Sequence, residues 1–135
     1  MLTLLIAMAL FNLNSAAESN AAEIQNAASE QKYVVADEYA PTVYYDKTAD
    51  GVRTIKAKTC KGVCSQEIHL SIDTKTDTIK TAQVIGGCPG NLLGISKIIV
   101  GMKVGDVISK FLGTPCGNRP TSCPDQIARV LKATR

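Results

Sequence analysis

The chain has 135 residues, of which 45% are hydrophobic, so it is long enough for one small folded domain and too short for a large multi-domain enzyme. Its charge is uneven, because residues 1–50 carry seven acidic and two basic residues, whereas residues 51–135 carry thirteen basic and five acidic ones. The basic part is best interpreted as a solvated basic face, with binding of an acidic protein or another anion as the alternative. The lack of tryptophan and of arginine alternating with aromatic residues does not favour nucleic-acid binding.

The N-terminal segment MLTLLIAMALF is apolar and is followed by small residues at which a signal peptidase can cut. We therefore predict a signal-like segment over residues 1–17, with export as one alternative for the location. A signal peptide normally begins with basic residues, but none precedes Lys32 here. A start codon placed too far upstream and a poorly ordered amphipathic tail are therefore alternative interpretations. No transmembrane span is expected, because a membrane-spanning helix needs about 20 apolar residues. Residues 18–40 are typical of a polar linker or a disordered segment, so the folded domain is expected over residues 41–135.

The first part of the expected domain contains strand patterns. The stretch TVYYDKTADGVRTIKAK has two runs of strand-forming residues around its DG turn, which predicts a hairpin at the start of the domain. The next stretch, SQEIHLSID, alternates with period two, so Ile68, Leu70 and Ile72 should face the core. His69 falls on the polar side, where a surface histidine is a better interpretation than a metal ligand. After a turn at TKTD, the stretch TIKTAQVIG provides an antiparallel partner strand.

Three helical patterns follow the strands. The stretch NLLGISKIIVGM places five apolar residues at helical spacing, namely Leu92, Ile95, Ile98, Ile99 and Met102. The stretches VGDVISKFLG and PDQIARVLKATR repeat this spacing, and Gly113 is the expected C-terminal cap of the first of them. Strands followed by helices predict an α+β fold, with a small antiparallel sheet of about three strands covered on one face by about three helices.

The five cysteines lie between residues 60 and 123, and an odd number cannot pair completely. Four of them fall at the ends of expected elements, where a site can be assembled without opening the core: Cys64, Cys88, Cys116 and Cys123. Thiolates bind metals, so we predict a metal site formed by these four residues, although their spacing is not that of a zinc finger. One alternative is that they are buried as small hydrophobic residues. Another is a redox pair formed by Cys116 and Cys123.

The glycines before Cys88 allow two interpretations. The stretch GGCPGNLLG ends a strand and opens a helix, as phosphate-binding turns do. It has neither the Walker spacing nor the dinucleotide-binding spacing of glycines. Close backbone packing around Cys88 is therefore the better interpretation.

Four segments together resemble the TSCPD domain family, which is named after a Thr-Ser-Cys-Pro-Asp motif that this chain has at Thr121 to Asp125. They are KGVCSQEI, GGCPGNLLGIS, GMKVGDVISKFLG and CGNRPTSCPDQIA, and the resemblance covers about residues 52–132. It implies a cytoplasmic location and a similarity to a C-terminal region of adenosylcobalamin-dependent ribonucleoside-diphosphate reductases. The motif cysteines it implies are Cys64, Cys88, Cys116 and Cys123, whereas Cys60 lies outside the family pattern.

A fainter resemblance is to iron–sulfur scaffold proteins of the NifU-like type, which gather three cysteines at one end of a small antiparallel sheet. Cys64, Cys88 and Cys123 match those three, and Cys116 would be a fourth ligand. The acidic ligand of the scaffold has no clear counterpart, and Glu67 is only a candidate for it. This resemblance therefore implies cluster binding more than cluster assembly.

These observations predict a small accessory module that binds zinc or an iron–sulfur cluster through four cysteines and is linked to deoxyribonucleotide synthesis. Independent reductase activity is not expected, because so small a domain cannot enclose a nucleotide, a cobalamin and a radical centre. One alternative is a thiol–disulfide relay through Cys116 and Cys123. The other is a non-catalytic protein-interaction domain, whose partner would be a ribonucleotide reductase or an acidic protein.

Overall fold

A computed structural model describes residues 37–135, so the expected signal-like segment and the expected linker up to residue 36 lie outside the described residues. A short 3₁₀-helix, Asp37–Tyr39, precedes four strands, which are β1 (Thr42–Ala49), β2 (Val52–Lys58), β3 (Ser65–Asp73) and β4 (Thr78–Gly86). Three α-helices follow, which are α1 (Pro89–Ile99), α2 (Val104–Phe111) and α3 (Cys123–Ala133). The predicted α+β class is confirmed.

The four strands form one antiparallel sheet in chain order, β1-β2-β3-β4. The hairpin predicted at its start forms, and Asp50 and Gly51 have the positive φ angles, 51° and 75°, that a tight hairpin turn requires. The expected number of about three strands is one too few. The reason is that both strands of this hairpin join the sheet, since β2 pairs with β1 on one side and with β3 on the other.

The core lies between one face of the sheet and the helices. Its buried apolar residues come from three strands and three helices, namely Ile55, Ala57, Ile68, Leu70, Ile72, Ile79, Ile99, Val104, Val107, Ile127, Val130 and Leu131. The alternation predicted for β3 is confirmed, because its three inward residues are all in this cluster. Each fully buried side chain of this size contributes about 1.5–3 kcal/mol, so this layer holds the helices on the sheet.

The apolar stripe predicted for α1 is wrong in part. Leu92 and Ile99 are buried, as expected, but Ile98 is 69% exposed and Met102 lies beyond the end of the helix. Ile98 is six residues from Leu92, which places it about 120° away around the helix axis. Ser96 lies on the buried side instead. The buried face of α1 is therefore narrower than the spacing of its apolar residues predicts.

Helix α3 is buried on more than its apolar side. The residues that the pattern directs inward, Ile127, Val130 and Leu131, are buried as predicted. Two charged residues of the same helix, Asp125 and Arg129, are buried as well. A one-sided helical pattern does not predict this, and these polar side chains organise the site described below.

The sheet face opposite the helices carries a small hydrogen-bonded network. Tyr44 donates its hydroxyl proton to Glu67 Oε2 at 2.9 Å, and His69 Nε2 lies 2.9 Å from the same oxygen. Hydrogen bonding to His69, and then to Tyr44, lowers the pKa of Glu67. His69 therefore lies on the polar side of β3, as its position in the alternation predicts, and Glu67 is engaged in this network.

Candidate functional site

The five cysteines lie at one end of the sheet, which we call the cysteine end. Cys60 and Cys64 lie between β2 and β3, and Cys88 lies between β4 and α1. The end of β2, the start of β3 and the end of β4 meet there because neighbouring strands are antiparallel. Cys116 lies in the connection between α2 and α3, and Cys123 is the first residue of α3. All five are free thiols.

Two glycines let the segment of Cys88 pass directly beside Cys64. Gly86 and Gly87 have φ angles of 82° and 74°, a conformation that residues with side chains rarely adopt. A Cβ atom on Gly87 would lie 3.1 Å from the carbonyl carbon of Cys64 and 2.8 Å from Leu92 Cδ1. The glycines thus provide the close backbone packing favoured from the sequence.

Replacing Gly87 with alanine should lower the free energy of unfolding by about 1–3 kcal/mol, because the new methyl group clashes and the backbone angle becomes strained. Gly94→Ala is the matched control, since a Cβ there meets no described atom within 4 Å. Alanine inside a helix is more stable than glycine by about 0.5–1 kcal/mol, so the control should gain stability. Urea unfolding followed by circular dichroism measures both variants. Equal stability of the two would contradict the tight approach at Gly87.

Arg119 links the turn of Cys116 to Cys64. The backbone groups of Cys116 and Arg119 exchange two hydrogen bonds of 3.1 and 3.0 Å, which close a tight turn. From this turn, Arg119 Nη1 reaches the sulfur atom of Cys64 at 3.8 Å. The contact joins two of the predicted ligand segments and places a positive charge among the thiols of the cysteine end.

A buried carboxylate holds the connection between α2 and α3 in place. Asp125 is fully buried and accepts hydrogen bonds from Thr121 Oγ1 at 2.6 Å and from the backbone nitrogen of Gly113 at 2.7 Å. It also accepts a charge-assisted bond from Arg129 Nε at 2.6 Å. These bonds attach both ends of the connection to the first turns of α3.

Gln126 is a second buried polar residue that joins separate segments. Its Oε1 accepts a hydrogen bond from the backbone nitrogen of Cys60 at 3.1 Å. Its Nε2 donates to Thr121 Oγ1 at 2.9 Å and to the carbonyl oxygen of Tyr39 at 2.8 Å. The loop of Cys60 and the segment before β1 are therefore both attached to the first turn of α3.

The comparison with protein families decides what this domain is. A model of the TSCPD domain matches residues 41–134, which is most of the chain. The chain belongs to the TSCPD domain family. The resemblance inferred from the sequence motifs is thereby confirmed, and no curated protein and no solved structure gives a significant match. Among the described residues of this TSCPD domain, no helix is long and apolar enough to cross a membrane.

The five residues of the TSCPD motif hold the start of α3. Thr121 and Asp125 bond to each other through their side chains, and Ser122 caps the helix by accepting a hydrogen bond from the backbone nitrogen of Asp125 at 3.2 Å. Pro124 lies in the first turn, where a missing N–H leaves no hydrogen bond unmade. The motif therefore presents Cys123 at a rigid helix start.

The predicted ligands come together only in part. The segments of Cys88 and Cys116 each lie against Cys64, through Gly87 and Arg119 respectively. The fourth, Cys123, begins α3, and Gln126 of this helix bonds to the loop that carries Cys60 and Cys64. Over residues 37–135, no group of three or more His, Cys, Asp or Glu side chains is arranged to hold a metal ion.

Sequence reasoning missed three features of this site. The pair Asp125 and Arg129 had a signal, because residues four apart meet on a helix. The contacts of Arg119 with Cys64 and of Gln126 with Cys60 had no signal in the sequence, because they join residues 55 and 66 positions apart.

Proposed function

We propose that this TSCPD domain is an accessory module that binds zinc or an iron–sulfur cluster through Cys64, Cys88, Cys116 and Cys123. The observation that supports the proposal is the convergence of four separate cysteine-bearing segments on the cysteine end. Thiolates are the ligands preferred by zinc and by iron–sulfur clusters alike. Zinc would contribute folding free energy there, whereas a cluster would supply electron transfer.

The proposed site is one whose ligand loops move together on binding, because no three donors among the described residues are in position beforehand. Cys64, Cys88 and Cys116 are exposed residues of loops, so their thiols can approach one another without disturbing the core.

The family resemblance supports a link to deoxyribonucleotide synthesis. Similarity to a C-terminal region of adenosylcobalamin-dependent ribonucleoside-diphosphate reductases suggests that such a domain works beside a reductase. We propose that this module binds a reductase or an acidic protein, since residues 51–135 carry an excess of basic side chains. Its role is to hold a metal or a cluster for that partner rather than to reduce nucleotides itself.

The metal content of the full chain, produced and purified without oxygen, tests this proposal. Absorbance spectra together with iron, zinc and acid-labile sulfide analysis should find either stoichiometric zinc or iron with matching sulfide. Iron with sulfide would establish the cluster, and zinc alone would establish a structural metal. A folded chain that is metal-free, and that does not bind added zinc in competition with a chromophoric chelator, would overturn the proposal.

A further inference from the structure

The backbone of Cys60 is hydrogen-bonded to the first turn of α3, the helix that begins at Cys123. The backbone nitrogen of Cys60 donates to Gln126 Oε1 at 3.1 Å, and Gln126 is three residues after Cys123 in the same helix. The Gln126 side chain runs back towards the helix start, because its Nε2 also bonds to Thr121 Oγ1 at 2.9 Å. The loop of Cys60 is therefore held against the residue that begins α3.

Burial distinguishes these two thiols from the other three. Cys60 and Cys123 are half-buried, whereas the remaining cysteines are exposed. Burial raises the pKa of the Cys60 thiol, the Arg129 guanidinium opposes that rise, and Asp125 and Cys123 add to it. The electrostatic effect of Cys123 on Cys60 agrees with the Gln126 hydrogen bond, which holds the Cys60 loop at the start of α3.

Cys116, the other partner considered for Cys123, is held in a different contact. Its turn is closed by two backbone hydrogen bonds with Arg119, and the Arg119 guanidinium reaches the sulfur atom of Cys64. Arg119 thus joins the turn of Cys116 to Cys64, whereas Gln126 joins the helix of Cys123 to Cys60.

We propose that Cys60 and Cys123 form a reversible disulfide, so that Cys60 rather than Cys116 is the redox partner of Cys123. The oxidant is a low-molecular-weight disulfide such as oxidised glutathione. One protein thiolate attacks a sulfur of that disulfide, forms a mixed disulfide and releases one small thiolate. The second protein thiolate then attacks the protein sulfur of the mixed disulfide and releases the other. Together the two cysteines lose two electrons to the small disulfide, and their two protons go to the two released thiolates.

This disulfide would regulate the metal site. The regulatory consequence rests on the proposed function, whereas the disulfide itself does not. Oxidation takes Cys123 out of the ligand set, so the affinity for the metal falls while the disulfide is present.

Disulfide mapping of the full chain tests the inference. The reduced, metal-free protein is incubated with a glutathione redox buffer, its remaining thiols are alkylated, and it is digested and analysed by mass spectrometry without reduction. Trypsin releases Cys60 within residues 59–61, and it releases Cys116 together with Cys123 within residues 111–129, because Pro120 blocks cleavage after Arg119. These two peptides should be linked to each other, and dithiothreitol should separate them.

The same link should persist in Cys116→Ser and disappear in Cys60→Ser. Two results with the unsubstituted chain would each overturn the inference. One is an internal bridge between Cys116 and Cys123, and the other is that all five thiols are found alkylated or glutathionylated, with no link between the two peptides. Zinc affinity of the reduced protein is measured separately. A chain that forms the link but binds no metal would overturn only the proposed function, and a chain that binds metal without forming the link would overturn only the disulfide.

Discussion

Replacing Asp125 with asparagine will lower the free energy of unfolding by about 3–5 kcal/mol, the usual effect of removing one partner of a buried ion pair. Asp125 is 0% exposed and Arg129, whose guanidinium it binds, is 4% exposed. Water therefore cannot reach the guanidinium to replace the lost carboxylate. All three groups that bond to this carboxylate are donors. An asparagine side chain would direct a fourth donor at them.

This loss is a large part of the stability of a small domain, which is about 5–15 kcal/mol in total. Urea unfolding at neutral pH, followed by circular dichroism, measures it. Asp50→Asn is the matched control, because Asp50 is exposed in a turn with a φ angle of 51°, where asparagine is well tolerated. The control should change stability by less than about 0.5 kcal/mol. If both variants unfold at the same urea concentration, the buried network at Asp125 does not stabilise the domain as inferred.

If the proposed function holds, replacing Cys64 with serine will weaken zinc binding at least about 100-fold, since even the loss of an outer-shell partner lowers metal affinity by about 10–100-fold. A serine hydroxyl has nearly the shape of the thiol but does not form the thiolate that zinc prefers. Zinc present at 100 times its dissociation constant stabilises a chain by about 2.7 kcal/mol, so the substitution should also abolish the rise in melting temperature that zinc gives the unsubstituted chain.

Cys60→Ser is the control for this experiment, because Cys60 is in the same loop as Cys64 but is not one of the proposed ligands. Competition with a chromophoric chelator gives the affinities, and thermal unfolding with and without zinc gives the stabilities. Cys60→Ser should bind zinc as tightly as the unsubstituted chain. Undiminished binding by Cys64→Ser, or an equal loss in both variants, would remove Cys64 from the ligand set.

The parts of the fold that follow from local periodicity were predictable. The alternation of β3 places Ile68, Leu70 and Ile72 in the core, and the spacing in α3 directs Ile127 and Leu131 inward. The prediction fails where a neighbouring element limits the pattern. The apolar residues of α1 include the exposed Ile98, because only a limited width of a helix can face a sheet. The number of strands was underestimated because both strands of the first hairpin join the sheet.

The sequence by itself determined the types of element, the α+β class, the family motif and the positions of the cysteines at element ends, since all of these depend on residues near one another in the chain. Only the tertiary structure decided which of those cysteines become neighbours. The contact of Arg119 with Cys64 spans 55 residues, and the bond that holds Cys60 at the start of α3 spans 66. Such contacts depend on how helices pack on a sheet, because that packing brings together segments that are distant in the chain.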